Sequence, residues 1–241
     1  MKFQSFLAVV SALVLALPVH GQGAAGQGRT LKTRCLLFHT DQTLPPVFVH
    51  QSAGAKDALG VPVNVKSYLN HEAESLIMLG DEITFTTSPD RESMAAADKL
   101  IGKYKVPAQT RSAILMFLPG DGKPDKPKCS ILGIDDSTRA FPRGSVKVIN
   151  LSHFPLRILL EEKPFEFKSG ESKLIENPPV GEANAAGMMA FAFKDNQWQR
   201  FSAGLWTHPG QKRVIQVVYE DPVSGQSKIT GIRDIAVRDS E

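Results

Sequence analysis

The sequence is poor in several features that define well-known classes of protein. Its 241 residues include only 2 Cys and few aromatics, with 13 Phe, 3 Tyr and 2 Trp. Two cysteines exclude a disulfide-dense miniprotein, and the length is sufficient for a large hydrophobic core. Lys and Arg number 28 against 25 Asp and Glu, and they form no long basic run. Nucleic acid is therefore not an expected partner, because phosphate binding needs clustered cations.

The motifs of the common catalytic classes are also missing. The sequence has no Gly-x-Ser-x-Gly nucleophile elbow and no phosphate-binding Gly-x-x-x-x-Gly-Lys. His71-Glu72 lacks the second histidine of a zinc-protease helix. A blue-copper site needs a histidine close to the cysteine, and the first histidine after Cys129 is His153. The sequence therefore predicts a protein that is not an enzyme and has no cofactor.

The N-terminus has the pattern of an export signal. Lys2 provides a short basic region, residues 6–17 are apolar or small, and Gly21 precedes the expected cleavage point. The apolar run is shorter than the ~20 residues that span a bilayer. We expect a signal peptide at 1–21, a disordered linker at 22–29 and no integral membrane segment in the mature chain. The predicted location is the periplasm or the medium.

Export bears on the two cysteines, Cys35 and Cys129. In an oxidising compartment they could form one disulfide. The alternative is two separately buried thiols that pack as small hydrophobic side chains. The spacing alone leaves both alternatives open.

An internal duplication is the most informative feature that is present. Segment 102–117 resembles segment 204–219, and the Gly, Pro, Gln and Arg positions match at a spacing of 102 residues. The strands that follow, 131–136 and 229–234, match at a spacing of 98, which predicts a hairpin loop four residues longer in the first copy. We therefore expect two repeats, at 30–140 and 141–241.

Short strands separated by turn residues fill both repeats. Val146-Lys147-Val148 and Phe165-Glu166-Phe167 alternate as a strand with one buried face does. Six or seven such strands in about a hundred residues are typical of an immunoglobulin-like sandwich. The sequence predicts an all-β protein of two tandem immunoglobulin-like β-sandwich repeats. One larger sandwich with two pseudo-symmetric halves is the alternative.

One short helix is expected as an insertion in the first repeat. Ser88 is suited to the N-cap and Pro89 to the first helical position, and Asp90 and Glu92 favour the positive end of a helix. Residues 94–100 continue with strong helix formers. The second repeat has no equivalent segment.

Two tryptophans differ in their expected roles. Trp206 matches Tyr104 of the first repeat, so an aromatic side chain there is a feature of the fold and is expected in the core. Trp198 has polar neighbours and no counterpart in the first repeat. Trp198 is therefore the candidate ligand surface, where a sugar ring could stack on the indole.

A metal site is the second candidate. His39, Asp41 and His50 are close in sequence around the first hairpin, and two histidines with an aspartate could ligate zinc. The second repeat does not keep these residue types, so the fold does not need them. This set would make the protein a metal-dependent hydrolase.

A family resemblance accompanies these patterns. The stretch 144–152, the turn 170–172, the pair Pro178-Pro179 and the closing strand 231–234 resemble uncharacterised exported two-repeat β-sandwich proteins of Verrucomicrobia-type bacteria. The resemblance implies an all-β exported protein of no known activity, and it assigns no site residue.

Taken together, the sequence predicts an exported, non-catalytic β-sandwich protein that acts as a binding or structural module of the cell envelope. Its expected partner is an unidentified protein or an envelope glycan. The alternatives are a glycan-binding protein that uses Trp198 and a metal-dependent hydrolase that uses His39, Asp41 and His50.

Overall fold

Strands make up nearly all of the regular structure. The computed structural model describes residues 28–38, 44–51, 57–120, 123, 125–181 and 183–235. These residues contain seventeen strands, one 3-10 turn and no α-helix, which confirms the all-β prediction. Residues 1–21, and the linker up to residue 27, lie outside the described residues.

The strands fall into two halves of the chain. The first half contains β1 (Arg29–Leu37), β2 (Val47–Gln51), β3 (Val61–Val63), β4 (Val65–Lys66), β5 (Glu74–Met78), β6 (Glu82–Thr86), β7 (Leu100–Lys105), β8 (Ser112–Pro119) and β9 (Cys129–Asp135). The second half contains β10 (Val146–Asn150), β11 (Leu156–Leu160), β12 (Lys163–Phe167), β13 (Ser172–Ile175), β14 (Ala185–Lys194), β15 (Gln197–Thr207), β16 (Arg213–Glu220) and β17 (Ser227–Asp234).

Each half forms two sheets. Sheet A has the order β4-β1-β8-β9, with β5 also paired to β1, and sheet B has the order β3-β2-β6-β7. Sheet C has the order β13-β10-β16-β17, and sheet D the order β12-β11-β14-β15. The first strand of each half pairs in parallel with a late one, β1 with β8 and β10 with β16. The same pairing order therefore occurs in both halves.

Three apolar clusters hold the sheets in four layers, in the order B, A, C, D. The first cluster joins sheets A and B, and the second joins sheets C and D. The third cluster packs the remaining face of sheet A against that of sheet C. Because sheets A and C are covered on both faces, β8 is an unbroken apolar run in which Ala113 to Phe117 are all buried.

The predicted helix after Ser88 is absent, and the segment contains only a 3-10 turn, Arg91–Met94. Ser88 does not cap a helix, because its hydroxyl donates to Asp90 Oδ2 at 2.7 Å. The segment connects the antiparallel neighbours β6 and β7. Its first and last residues lie side by side, because Thr87 N donates to Lys99 O at 2.9 Å. The need to return to the adjacent strand overrides the helix propensity of residues 94–100.

The two cysteines form no disulfide, because Cys35 and Cys129 are both free, buried thiols. Cys35 is opposite Leu115 on β8, whereas Cys129 is opposite Pro119 on the other side of that strand. Four residues along β8 and two strand spacings separate their Cα atoms by roughly 16 Å. A disulfide requires Cα atoms within about 7 Å. Of the two arrangements that the sequence left open, the structure has the second, two separately buried thiols.

No helix among the described residues is long and apolar enough to cross a membrane.

Candidate functional site

Four charged side chains lie buried between sheets A and C. Arg34 is on β1, Asp136 follows β9, Arg213 begins β16 and Asp234 ends β17. Each is at most 2 % exposed. We call these four residues the ionic cluster.

The ionic cluster is closely hydrogen-bonded. Arg34 donates to both carboxylates, with Nη2 to Asp136 Oδ1 at 2.9 Å and Nη1 to Asp234 Oδ1 at 2.6 Å. Arg213 donates Nε to Asp234 Oδ2 at 2.9 Å and also pairs with Asp136. Two pairs cross between the halves of the chain, Arg34–Asp234 and Arg213–Asp136. Two cations balance two carboxylates, so the cluster is neutral. Its ion pairs link the two halves of the chain.

Backbone groups and an aromatic ring complete the surroundings of the two guanidinium groups. Arg34 Nη1 donates to Leu69 O at 2.7 Å, and Arg213 Nη1 donates to Phe141 O at 2.8 Å. The Arg213 guanidinium carbon also lies 4.4 Å from the centroid of the Phe141 ring. Both guanidinium groups and both carboxylates are thus engaged inside the fold, as a structural role requires.

The match between the two repeats in the sequence did not indicate this cluster, because that match was one residue out of register with the structure. It matched Arg213 with Arg111, which is exposed. Ile114 pairs with Ile134 in sheet A, and Ile215 pairs with Ile232 in sheet C. This register makes Ser112 the counterpart of Arg213, and it makes the first hairpin loop three residues longer rather than four. A shift of one residue moves a strand side chain to the opposite face.

The same register relates the other members of the cluster. Asp136 and Asp234 are counterparts, and the counterpart of Arg34 is Lys147. Lys147 is half-buried, with Nζ 5.6 Å from the centroid of Phe141, and burial lowers the pKa of its ammonium group. The two halves therefore contribute unequally to one shared cluster.

His50, the described member of the predicted metal set, lies buried on the outer face of sheet B. Its Nε2 is 2.8 Å from Thr86 Oγ1 and 3.4 Å from Ser93 Oγ, so it is engaged beneath the 3-10 turn. Burial lowers the pKa of the imidazole. His39 and Asp41 lie outside the described residues, so the metal site remains a prediction. No group of three metal-ligating side chains occurs in the described ranges.

The two tryptophans lie on opposite faces of sheet D. Trp206 is opposite Ala186 and packs against the cluster between sheets C and D. Trp198 is opposite Phe193, whose partly exposed ring is on the outer face. The ring centroids of Trp198 and Phe193 are 5.2 Å apart.

Charged neighbours hold the indole of Trp198 in place. The Arg157 guanidinium carbon lies 4.3 Å from the centroid of the Trp198 ring. Arg157 is itself fixed by Glu166, with Nε to Oε1 at 2.9 Å and Nη2 to Oε1 at 2.6 Å. Strands β11, β12 and β15 thus combine to orient one half-buried aromatic ring.

Apolar side chains extend from Trp198 across the outer face of sheet D. Met189 is 36 % exposed, Phe193 37 % and Leu205 76 %. Together with Trp198 we call these residues the aromatic face. Sheets A and C cover each other, and the outer face of sheet B is covered by the 3-10 turn around His50. Sheet D exposes three large apolar side chains on its adjacent strands β14 and β15, whereas sheets A and B expose Ile77 and Val61 on the edge strands β5 and β3.

Comparisons with known proteins give little further information. No protein-family model and no curated protein matches this sequence. Among solved structures, the chain is similar to a "putative cell adhesion protein" from Bacteroides uniformis ATCC 8492. The match has 6 % identity and a TM-score of 0.22, and it covers 88 % of this chain and 100 % of that one. A likeness this low carries no argument about function.

Proposed function

We propose that the protein is an exported, non-catalytic binding module of the cell envelope, built from two tandem immunoglobulin-like repeats. We further propose that it recognises a glycan through the aromatic face of sheet D. The observation that supports this choice is the exposure of the aromatic face, which lies on the adjacent strands β14 and β15 of sheet D. Exposed apolar patches on soluble proteins commonly mark interaction sites.

The chemistry of the aromatic face suits a sugar. A pyranose ring presents a face of C–H groups that can lie on an aromatic ring, while its hydroxyls need polar partners at the edge. Phe193 and Trp198 supply the rings, and Arg157 with Glu166 supplies donors and acceptors beside them. Because Trp198 is already held by Arg157 and Phe193, little side-chain entropy is lost on binding.

The non-catalytic part of the proposal rests on the sequence, which contains no complete catalytic motif. Export rests on the N-terminal pattern at residues 1–21. Expression of the full chain in a bacterial host tests whether the protein is exported. Mass spectrometry of the product should show a mature chain that begins near Gln22, and an intact N-terminus in an extracted cytoplasmic fraction would contradict export.

Co-sedimentation with insoluble polysaccharides tests the ligand. The mature protein should bind at least one of peptidoglycan, chitin and cellulose, and Trp198→Ala should weaken that binding at least tenfold. Tyr68→Ala is the matched control, because Tyr68 is a 52 % exposed aromatic residue in the first half. The far-ultraviolet circular dichroism of both variants should match wild type.

Two outcomes would contradict the glycan proposal. One is the absence of sedimentation with all three polysaccharides. The other is equal binding by wild type, Trp198→Ala and Tyr68→Ala.

A further inference from the structure

The edges of the two sandwiches differ at one equivalent place. In the first half, β7 and β9 meet directly, and Lys128 N lies 3.4 Å from Leu100 O. Gly102 permits this approach, because a Cβ there would lie 2.8 Å from Cys129 O. The glycine therefore keeps this edge of the sandwich closed.

In the second half, the counterparts of β7 and β9 are β15 and β17. Both β7 and β15 contain a bulge, with Ile101 and Phe201 as the extra residues opposite β6 and β14. The residue after the bulge is Gly102 in β7 but Ser202 in β15. A side chain thus stands where the first half has none, and no backbone hydrogen bond joins β15 to β17 within the described ranges.

A cavity of about 360 Å³ lies at this open edge, within the usual range for small-molecule sites of about 300–1,000 Å³. We call it the edge cavity. Its polar lining combines two cations, two amides and one hydroxyl: Lys194, Arg200, Gln199, Gln226 and Ser227. The aromatic ring of Phe201 also lines it, and no carboxylate does so among the described residues.

The hydroxyl of Ser227 indicates that this cavity is built for a ligand. Ser227 is 8 % exposed, and its Oγ has no hydrogen-bond partner in the described part of the chain. Its counterpart in the closed edge is Cys129, a buried thiol that packs in the core. A buried hydroxyl without a partner is costly, so an unpartnered one at a cavity wall favours an occupant that bonds it.

Nearby carboxylates do not neutralise the cavity. Asp221 pairs with Lys228 on the adjacent hairpin. Asp195 contacts Gln199 Nε2 at 3.4 Å and is outside the lining. Lys194 Nζ lies 4.2 Å from the centroid of the Phe154 ring, and among the described residues no carboxylate forms an ion pair with it. Arg200 is exposed and belongs to the lining of the cavity.

We propose that the edge cavity binds a carboxylate-bearing sugar, such as a uronic acid unit. Amide and hydroxyl groups pair with sugar hydroxyls, Phe201 offers an apolar ring, and Arg200 with Lys194 binds the carboxylate. This site does not depend on the aromatic face, because Trp198 is not part of its lining.

Isothermal titration calorimetry of the mature protein tests the proposal. The probes are trisaccharides of galacturonic, glucuronic and mannuronic acid, with neutral cellotriose as the reference. At least one acidic probe should bind at least tenfold more tightly than cellotriose, and its affinity should fall as salt is raised. Arg200→Gln should weaken this binding tenfold or more.

Two variants make the test specific. Lys103→Gln, an exposed cation on β7 in the closed edge, is the matched control and should bind as wild type does. Ser227→Ala should weaken binding several-fold while the melting temperature of the unliganded protein stays equal or rises, because it removes an unpartnered hydroxyl.

The proposal fails if no acidic probe binds, if cellotriose binds equally well, or if Arg200→Gln and Lys103→Gln behave alike. Trp198→Ala separates this site from the aromatic face. It should leave the affinity for the acidic trisaccharide unchanged, even where it abolishes sedimentation with an insoluble polysaccharide.

Discussion

Removal of one carboxylate from the ionic cluster should destabilise the whole protein. Asp234 is fully buried and accepts hydrogen bonds from two arginines, with Arg34 Nη1 at 2.6 Å and Arg213 Nη2 at 2.6 Å. Asp234→Ala would leave two guanidinium groups facing the single carboxylate of Asp136. The result is one uncompensated positive charge in the interior.

The expected magnitude follows from this charge imbalance. Removing one partner from a buried ion pair costs about 3–5 kcal/mol in the free energy of unfolding. For a domain of this size, each kcal/mol lowers the melting temperature by about 2–4 °C. We therefore expect Asp234→Ala to melt roughly 6–20 °C below wild type.

Urea unfolding followed by circular dichroism, together with calorimetry, measures both quantities. Asp81→Ala is the control, because the Asp81–Lys105 pair is mostly exposed, at 62 % and 77 %. Exposed pairs contribute about 0–1 kcal/mol, so this variant should remain close to wild type. A loss below about 1 kcal/mol in Asp234→Ala would refute the reasoning, because it would mean that the charges are solvated.

A combined variant separates two effects on the free energy of unfolding: the cost of an unpaired buried charge and the net contribution of the intact ionic cluster. Replacing both arginines by Met and both aspartates by Leu leaves no buried charge. Such replacements are often neutral or stabilising, by about 1–4 kcal/mol. We expect this variant to be at least as stable as wild type and far more stable than Asp234→Ala.

Three further predictions concern the histidine, the thiols and the glycines. Because burial lowers the pKa of His50, the unfolded chain binds a proton at this imidazole more tightly than the folded protein does. The free energy of unfolding should therefore fall as pH drops below about 6.5. In His50→Gln, the dependence of the free energy of unfolding on pH should be weaker between about pH 5 and 7. Burial raises the pKa of Cys35 to about 12, and both thiols are buried, so a thiol reagent at pH 8 should label neither Cys35 nor Cys129 in the native protein. In guanidinium without reductant, the reagent should label both. A disulfide would instead leave neither cysteine free to react there. Gly102→Ala should destabilise by about 1–3 kcal/mol because its Cβ would meet the Cys129 carbonyl, whereas Gly204→Ala, with open space around it, should be neutral or slightly stabilising in urea unfolding.

Much of the fold follows from patterns that are local in the chain. Alternation in β10 and β12, and turn residues such as Asp195-Asn196 with positive φ values of 50° and 61°, determine strands and hairpins directly. The helix prediction failed because 94–100 must close onto the neighbouring strand, a requirement that arises from β6 and β7 rather than from the segment itself.

The candidate sites were only partly predictable. Trp198 could be singled out because a lone aromatic residue among polar ones stands out in sequence. The edge cavity could not be, since it depends on Ser202 replacing Gly102 at a bulge and on Ser227 replacing Cys129 across the gap. Neither substitution looks unusual until the two strands are placed side by side.

The sequence by itself determined the all-β class, the many short strands and the recurrence of one pattern in both halves, because these depend on residue type and on a period of two along a strand. Only the tertiary structure decided the register of that recurrence and the burial of Arg34, Asp136, Arg213 and Asp234. A shift of one residue reverses the face of every side chain, and residues as distant in sequence as Arg34 and Asp234 become partners only when sheets A and C pack together.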